Sequence, residues 1–271
     1  MKFDFHTHHE RCGHADGSLR DYVEAAVREG LDMIGLSDHS PYFASSRDHP
    51  EPKVAMAKSE FPRYAEEALA LKREFAGKIE VLFGVESDYF PEHAETYRRE
   101  LSRYPFDYVI GSVHQVHGSS IFNKNRWKAL NTAQRIEVKE AYYGLIARSA
   151  KSGMFDVLGH IDAMRANFPE FGDIPAERAV REALRTIAES GVAIEINTSG
   201  KTKLCGGWYP ADDLLEMALA HGVAITFGSD AHTPSRVGDE FAQVARRLRD
   251  IGFREWAVFR QRQRVMVPIE A

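Results

Sequence analysis

Residues 2–17 read KFDFHTHHERCGHADG. The first four alternate polar and aromatic side chains, as a short strand does, and they run directly into His6, His8, His9 and His14. An expression tag is an unbroken histidine run, whereas this set is interrupted by Thr7, Arg11 and Cys12. One strand that delivers imidazoles at its end says little about fold. Further β-rich runs occupy 33–37 (MIGLS), 80–85 (EVLFGV), 108–113 (YVIGSV), 155–159 (FDVLG), 192–197 (VAIEIN) and 223–229 (VAITFGS). They lead into Asp38-His39, Glu86, His114, His160, no such group, and Asp230-Ala231-His232, in that order. Six of the seven runs therefore end on a histidine or an acid.

Helical patterns lie between these runs: 18–30, 61–77, 135–153, 176–191 and 211–222. Each ends on Gly, which tolerates the left-handed conformation that stops a helix. Ser18 and Asp212 are the expected N-caps. Strands alternating with longer helices point to a parallel sheet with crossover helices, an α/β chain. Seven such units with no linker predict one closed (β/α)7 barrel, TIM-like, as a single domain over residues 1–271. An open doubly wound sheet is the alternative. In a barrel the C-terminal strand ends meet on one face, where the active site is built. Residues more than two hundred positions apart would then share one mouth.

The 271 residues are 44% hydrophobic and 28% charged, ordinary values for a globular chain with a sizeable core. A net charge of −5 gives no basic face for nucleic acid. No apolar run is long enough to span a membrane, and Asp4 and His6 break any secretory signature. Cys12 and Cys205 are the only cysteines, so no disulfide scaffold is expected and the cytoplasm is the default compartment. Nothing in the sequence speaks to oligomeric state.

Of the twelve histidines, His6, His8, His14, His39, His114, His160 and His232 fall in the strand-end register, joined by Glu86 and Asp230. His9, His49, His93, His117 and His221 do not, and they read as surface residues or as supports for ligands. Neutral imidazole suits Zn, Fe and Mn, and carboxylates can bridge two ions. Nine donors exceed what one four-coordinate ion uses, so two or three ions sharing a carboxylate are expected. Without cations such a cluster would be costly to desolvate. Multi-metal sites polarise phosphoryl oxygens and generate hydroxide near neutral pH, which points to hydrolysis.

The ordered motifs HTH (6–8), CGHADG (12–17), LSDHSP (36–41), GVESD (84–88), FDYVIGSVH (106–114), LGHID (158–162) and GSDAH (228–232) resemble the PHP (polymerase and histidinol phosphatase) family. Within it they are most similar to the histidinol-phosphate phosphatases. The resemblance implies a distorted seven-stranded barrel with three divalent ions, Zn, Fe or Mn. It implies a first ion held by His6, His8, Glu86 and Asp230, and a second held by Glu86, His114 and His160, with Glu86 as the bridge. A third would be held by His14, His39 and His232. It further implies hydrolysis of L-histidinol phosphate, in histidine biosynthesis, by a metal-bridging hydroxide. A nucleotide phosphatase or exonuclease on the same site is the alternative. An amidohydrolase fits less well, because Glu86 takes the bridging place of that superfamily's modified lysine. A metal-storing barrel without turnover is the non-catalytic alternative.

The expected partner is a small phosphomonoester, and phosphate calls for cationic clamps. Arg165, five residues past His160, is the first candidate, grouped with Glu86 and Asp230 as catalytic. Lys201, Arg236 and Asp88 are the further substrate contacts, although Asp88 and Asp162 could equally fix an imidazole tautomer. Cys12 reads as an idle thiol. Glu195 alternates with apolar neighbours and receives no role.

Overall fold

The computed structural model describes residues 1–270. All the strand runs form. Parallel strands β1 (Phe3–Asp4), β2 (Met33–Leu36) and β3 (Glu80–Phe83) make one sheet, in that order. After Gly84 and Val85 the third run continues as β4 (Glu86–Asp88), which pairs with β5 (Ile110–Ser112) in a second sheet. A short hairpin, β6 (Gln115–Val116) and β7 (Ser119–Ser120), follows. The second sheet is completed by β8 (Val157–Leu158), β9 (Ala193–Asn197) and β10 (Ile225–Gly228). Bridges join the two sheets on both sides, Thr7 to Ala231 and His39 to Glu86, with Phe5 N donating to Phe227 O at 3.1 Å. The result is a closed, distorted barrel of seven staves in which β3 and β4 are one bent stave. At the bend only glycine fits: the ring of Tyr108 lies so close to Gly84 that a Cβ there would be 2.4 Å from Tyr108 Cζ. Tyr108 OH crosses to donate to Phe5 O at 2.6 Å.

Helices α1 (Leu19–Arg28), α2 (Phe61–Glu74), α3 (Ala94–Leu101), α4 (Lys124–Ala129), α5 (Thr132–Lys151), α6 (Glu177–Ser190), α7 (Asp212–Ala220) and α8 (Phe241–Ile251) accompany the strands. Ser18 caps α1 through a reciprocal bond set with Asp21, as expected. Asp212 does not cap α7: Ala211 is the N-cap, and the Asp212 carboxylate is taken by Arg247. Helices α3, α4 and α8 add to the five expected ones.

A C-terminal hairpin, β11 (Glu255–Arg260) and β12 (Gln263–Pro268), was not legible in the sequence. It covers the barrel end where strands begin. Arg260 pairs with Glu80 at the start of β3, and Arg262 pairs with Asp156 just before β8. Trp256, fully buried, packs edge-on against Phe3 at 5.5 Å. The hairpin leaves the opposite end open.

Candidate metal centre

The nine expected donors meet at that open end. Glu86 is 1% exposed and its two oxygens face different imidazoles. Oε2 looks at His39 Nδ1 (2.8 Å), His6 Nε2 (3.5 Å) and His8 Nε2 (3.6 Å). Oε1 looks at His160 Nε2 (3.2 Å) and His114 Nε2 (3.6 Å), and accepts from Ser112 Oγ at 2.6 Å. Asp230 Oδ1 lies 3.0 Å from His8 Nε2 and 3.8 Å from His6 Nε2. His14 and His232 face each other, Nε2 to Nε2, at 3.0 Å.

Five sets of donors lie close enough to share an ion: His6–His8–Asp230, His6–Glu86–His160, His39–Glu86–His114, His8–His39–His232 and, with a thiol, His8–Cys12–Asp38. The first two match the expected groupings in part. His39 differs: it borders Glu86 and His114 on one side and His8 and His232 on the other, because the His39–Glu86 backbone bridge brings it beside the central carboxylate. The sets share members, so the ring of donors is continuous. Two of the donor positions, His160 (φ 25°) and Asp230 (φ 53°), adopt a left-handed backbone uncommon for side-chain-bearing residues. Such strain concentrates at functional sites.

The cluster fits cations on its own chemistry. His6 Nε2 and Glu86 Oε2 are buried without a hydrogen-bond partner, and no Lys or Arg pairs with Glu86 or Asp230 among the described residues. Burial alone would raise the Glu86 carboxyl, yet His39, His6 and His114 hold it well below its usual range. Asp230 is likewise held well below by His6, His8 and His232 against its burial. Burial pulls His8 down, but hydrogen bonds to Asp230 and Asp38 carry it up to about 9. His114 also rises to about 9, through Asp88 and Glu86. Burial and the neighbouring His8 push His232 down to about 3.

Behind the donors stands a layer of buried acids. Asp38 accepts from His8 Nδ1 at 3.1 Å and lies 2.6 Å from His9 Nδ1. His9 is therefore buried, which excludes the surface alternative for it and leaves the supporting one. Asp88 lies 3.0 Å from His114 Nδ1 and accepts from His114 N, so its present partner is an imidazole and not the cavity. Glu195, read without a role, lies 2.8 Å from His6 Nδ1. A carboxylate on the far nitrogen fixes which ring nitrogen keeps its lone pair. Its signal in the sequence was an acid at the centre of an otherwise apolar strand. Cys12 lies within reach of His8 and Asp38, but it donates to His9 O at 3.1 Å and burial pushes its thiol up, away from the thiolate form that binds metal.

The cavity over the donors holds about 1190 Å³ and is bounded by His14, His39, His114, His160, Asp230 and His232 at its floor. Of the expected cationic clamps, Arg236 lines it, paired with Asp239 at 2.8 Å. Arg165 does not line it. Its guanidinium donates to Asp162 (3.0 Å) and to Trp208 O (3.3 Å), in a neighbouring cavity of about 600 Å³. Lys201 pairs with Glu240 at 2.8 Å and does not line the cavity. Lys53 and Lys203, unremarked in the sequence, line the mouth instead. They sit in connecting loops, which carry no periodic signal to point to them.

The PHP domain family model matches residues 4–199 of this chain. The chain belongs to the PHP domain family. A probable histidinol-phosphatase of Deinococcus radiodurans is 34% identical over 265 residues, spanning 96% of this PHP chain and 97% of the relative. The histidinol-phosphatase of Bacillus subtilis is 33% identical over 257 residues, spanning 88% and 96%. A histidinol phosphate phosphatase from Lactococcus lactis, solved with zinc, L-histidinol and phosphate, shares the PHP fold at a TM-score of 0.79. Its sequence is 21% identical, and the likeness covers 97% of this chain and 98% of that one. No helix of the described residues is long and apolar enough to cross a membrane.

Proposed function

We propose that this protein is a metal-dependent histidinol-phosphatase, hydrolysing L-histidinol phosphate to L-histidinol and phosphate in histidine biosynthesis. The observation that carries the reading is the pair of Glu86 oxygens, each facing its own set of imidazoles at the floor of a substrate-sized cavity. The 34% identity to a probable histidinol-phosphatase over nearly the whole chain supports the substrate. His6, His8, Glu86 and Asp230 would hold a first ion, Glu86, His114 and His160 a second, and His14, His39 and His232 a third, with Zn, Fe and Mn all suited to the donors. Such ions polarise phosphoryl oxygens and supply hydroxide at neutral pH.

The chain's own groups do the rest. Asp88, Asp38 and Glu195 keep His114, His8 and His6 oriented, and Arg236 and Lys203 at the rim neutralise phosphate oxygens. Arg165 stands on the turn that also supplies Ala163 and Ala166 to the cavity wall, and it serves as a further clamp once its guanidinium leaves Asp162. The substrate's leaving alcohol carries an ammonium and an imidazole. Glu51 and Glu92, which also line the cavity, offer the complementary charge, and Phe90 offers an aromatic ring. The barrel acts as one domain in the cytoplasm.

A phosphate-release panel tests the reading. Histidinol phosphate should be turned over far faster than nucleotides or simple phosphomonoesters. A preference for nucleotides would overturn the substrate, and no release from any of them by metal-loaded protein would favour the storage alternative.

A further inference from the structure

Strand β9 is the one barrel stave that ends without a ligand. Its central residue, Glu195, is 1% exposed and lies beneath the donors. The two oxygens are used differently. Oε1 accepts from His160 N at 2.9 Å and from Asn197 Nδ2 at 2.7 Å. Asn197 cannot turn its amide around, because its Oδ1 already accepts from Ser199 N at 2.9 Å and its Nδ2 also reaches Asp230 Oδ2 at 3.3 Å. Oε2 faces His6 Nδ1 at 2.8 Å. On the neighbouring stave only Gly228 fits: a Cβ there would lie 2.5 Å from Glu195 Oε2 and 2.5 Å from His6 Cβ. One carboxylate thus touches the ligand-bearing ends of β1 and β8 and, through Asn197, that of β10.

We propose that Glu195 is a positioning residue whose charge, and not merely its shape, sets His6 in the tautomer that can bind an ion. With an acceptor at Oε2, His6 donates Nδ1–H and keeps the Nε2 lone pair. That lone pair belongs to the buried atom without a hydrogen-bond partner, 3.5 Å from Glu86 Oε2. The inference rests on His6 being a metal ligand. Glu195→Gln is the telling substitution. Two fixed donors, His160 N–H and Asn197 Nδ2–H, oblige the new amide to place its oxygen at the Oε1 position. Its NH₂ then points at His6 Nδ1 and donates to it, so the His6 proton moves to Nε2 and the lone pair is withdrawn from the site. An amide of the same size would leave the packing intact and still disable the ligand.

The experiment compares full-length wild type, Glu195→Gln and His6→Ala, each freed of metal and titrated with zinc against a chromophoric chelator. Glu195→Gln should bind one zinc about 10–100-fold more weakly, the usual consequence of losing a partner behind a ligating histidine. The thermal midpoint of its metal-free form should stay near wild type. In zinc-loaded wild type labelled with ¹⁵N-histidine, the His6 proton should reside on Nδ1. Loss of zinc by His6→Ala together with wild-type binding by Glu195→Gln would overturn the role of Glu195 alone. Full zinc binding by both variants would instead overturn the assignment of His6 as a ligand, and the inference with it. Should Glu195→Gln fail to fold, the wild-type spectrum decides: a His6 Nδ1 without a proton refutes the proposal.

Discussion

The two ends of the barrel handle buried charge in opposite ways. At the end where strands begin, three acids have a cation from the chain: Glu80 has Arg260, Asp156 has Arg262, and Asp107 has Lys72. Trp256 and Phe3 fill the space between. At the end where strands finish, Glu86, Asp230, Asp38 and Glu195 meet imidazoles, and none pairs with a lysine or arginine among the described residues. Buried acids without compensation are costly, so a chain that neutralises one set internally and leaves the other to imidazoles reserves the second for cations from solution. One end is built for folding and the other for chemistry, the division expected of a β/α barrel.

Substitutions at the two ends should therefore fail differently. The largest effect is expected at the mouth: Glu86→Ala should lower phosphate release by about four orders of magnitude, the several kcal/mol that polarising cations supply. Metal content should fall with it, while the metal-free protein unfolds near the wild-type midpoint. Near-native turnover in that variant would remove the bridging role. Trp256→Ala should do the reverse, costing about 3–5 kcal/mol of stability as a large buried ring is lost. Its folded fraction should keep wild-type metal and kcat. A loss of metal there would mean that the ends are coupled.

A smaller effect is expected at the rim. Arg236→Ala should raise KM roughly tenfold, about 1.4 kcal/mol, with metal retained. Lys201→Ala, whose ammonium faces Glu240, should change kinetics by less than about twofold. Equal effects from the two would erase the distinction between cavity and surface. The smallest signal is protonic. His8 and His114, raised to about 9 by their acids, hold protons at neutral pH until an ion arrives. Ion binding should therefore acidify a weakly buffered solution, and affinity should climb as pH rises towards 9. Binding without proton release would show that these imidazoles are neutral beforehand.

What could be read from the sequence follows the same division. Strand ends repeat, so His6, His39, Glu86, His114, His160 and Asp230 announced themselves by register, and the barrel followed from them. The supporting acids were harder. Glu195 lies mid-strand with no motif, and its meaning depends on His6, which lies 189 positions away. The clamps were hardest, because charge on a loop gives no direction: Arg165 and Lys201 stand near ligands in sequence yet bond to Asp162 and Glu240. The sealing hairpin escaped because β12 is mostly exposed and lacks clean alternation between apolar and polar residues.

The most direct test is anomalous diffraction from crystals of the metal-loaded protein, recorded at the absorption edge of the bound element. Two or three peaks should cluster around Glu86, with its two oxygens reaching different ions and His6, His8, His114, His160 and Asp230 among their neighbours. A lone peak away from Glu86, or none within reach of it, would contradict a shared multi-metal mouth.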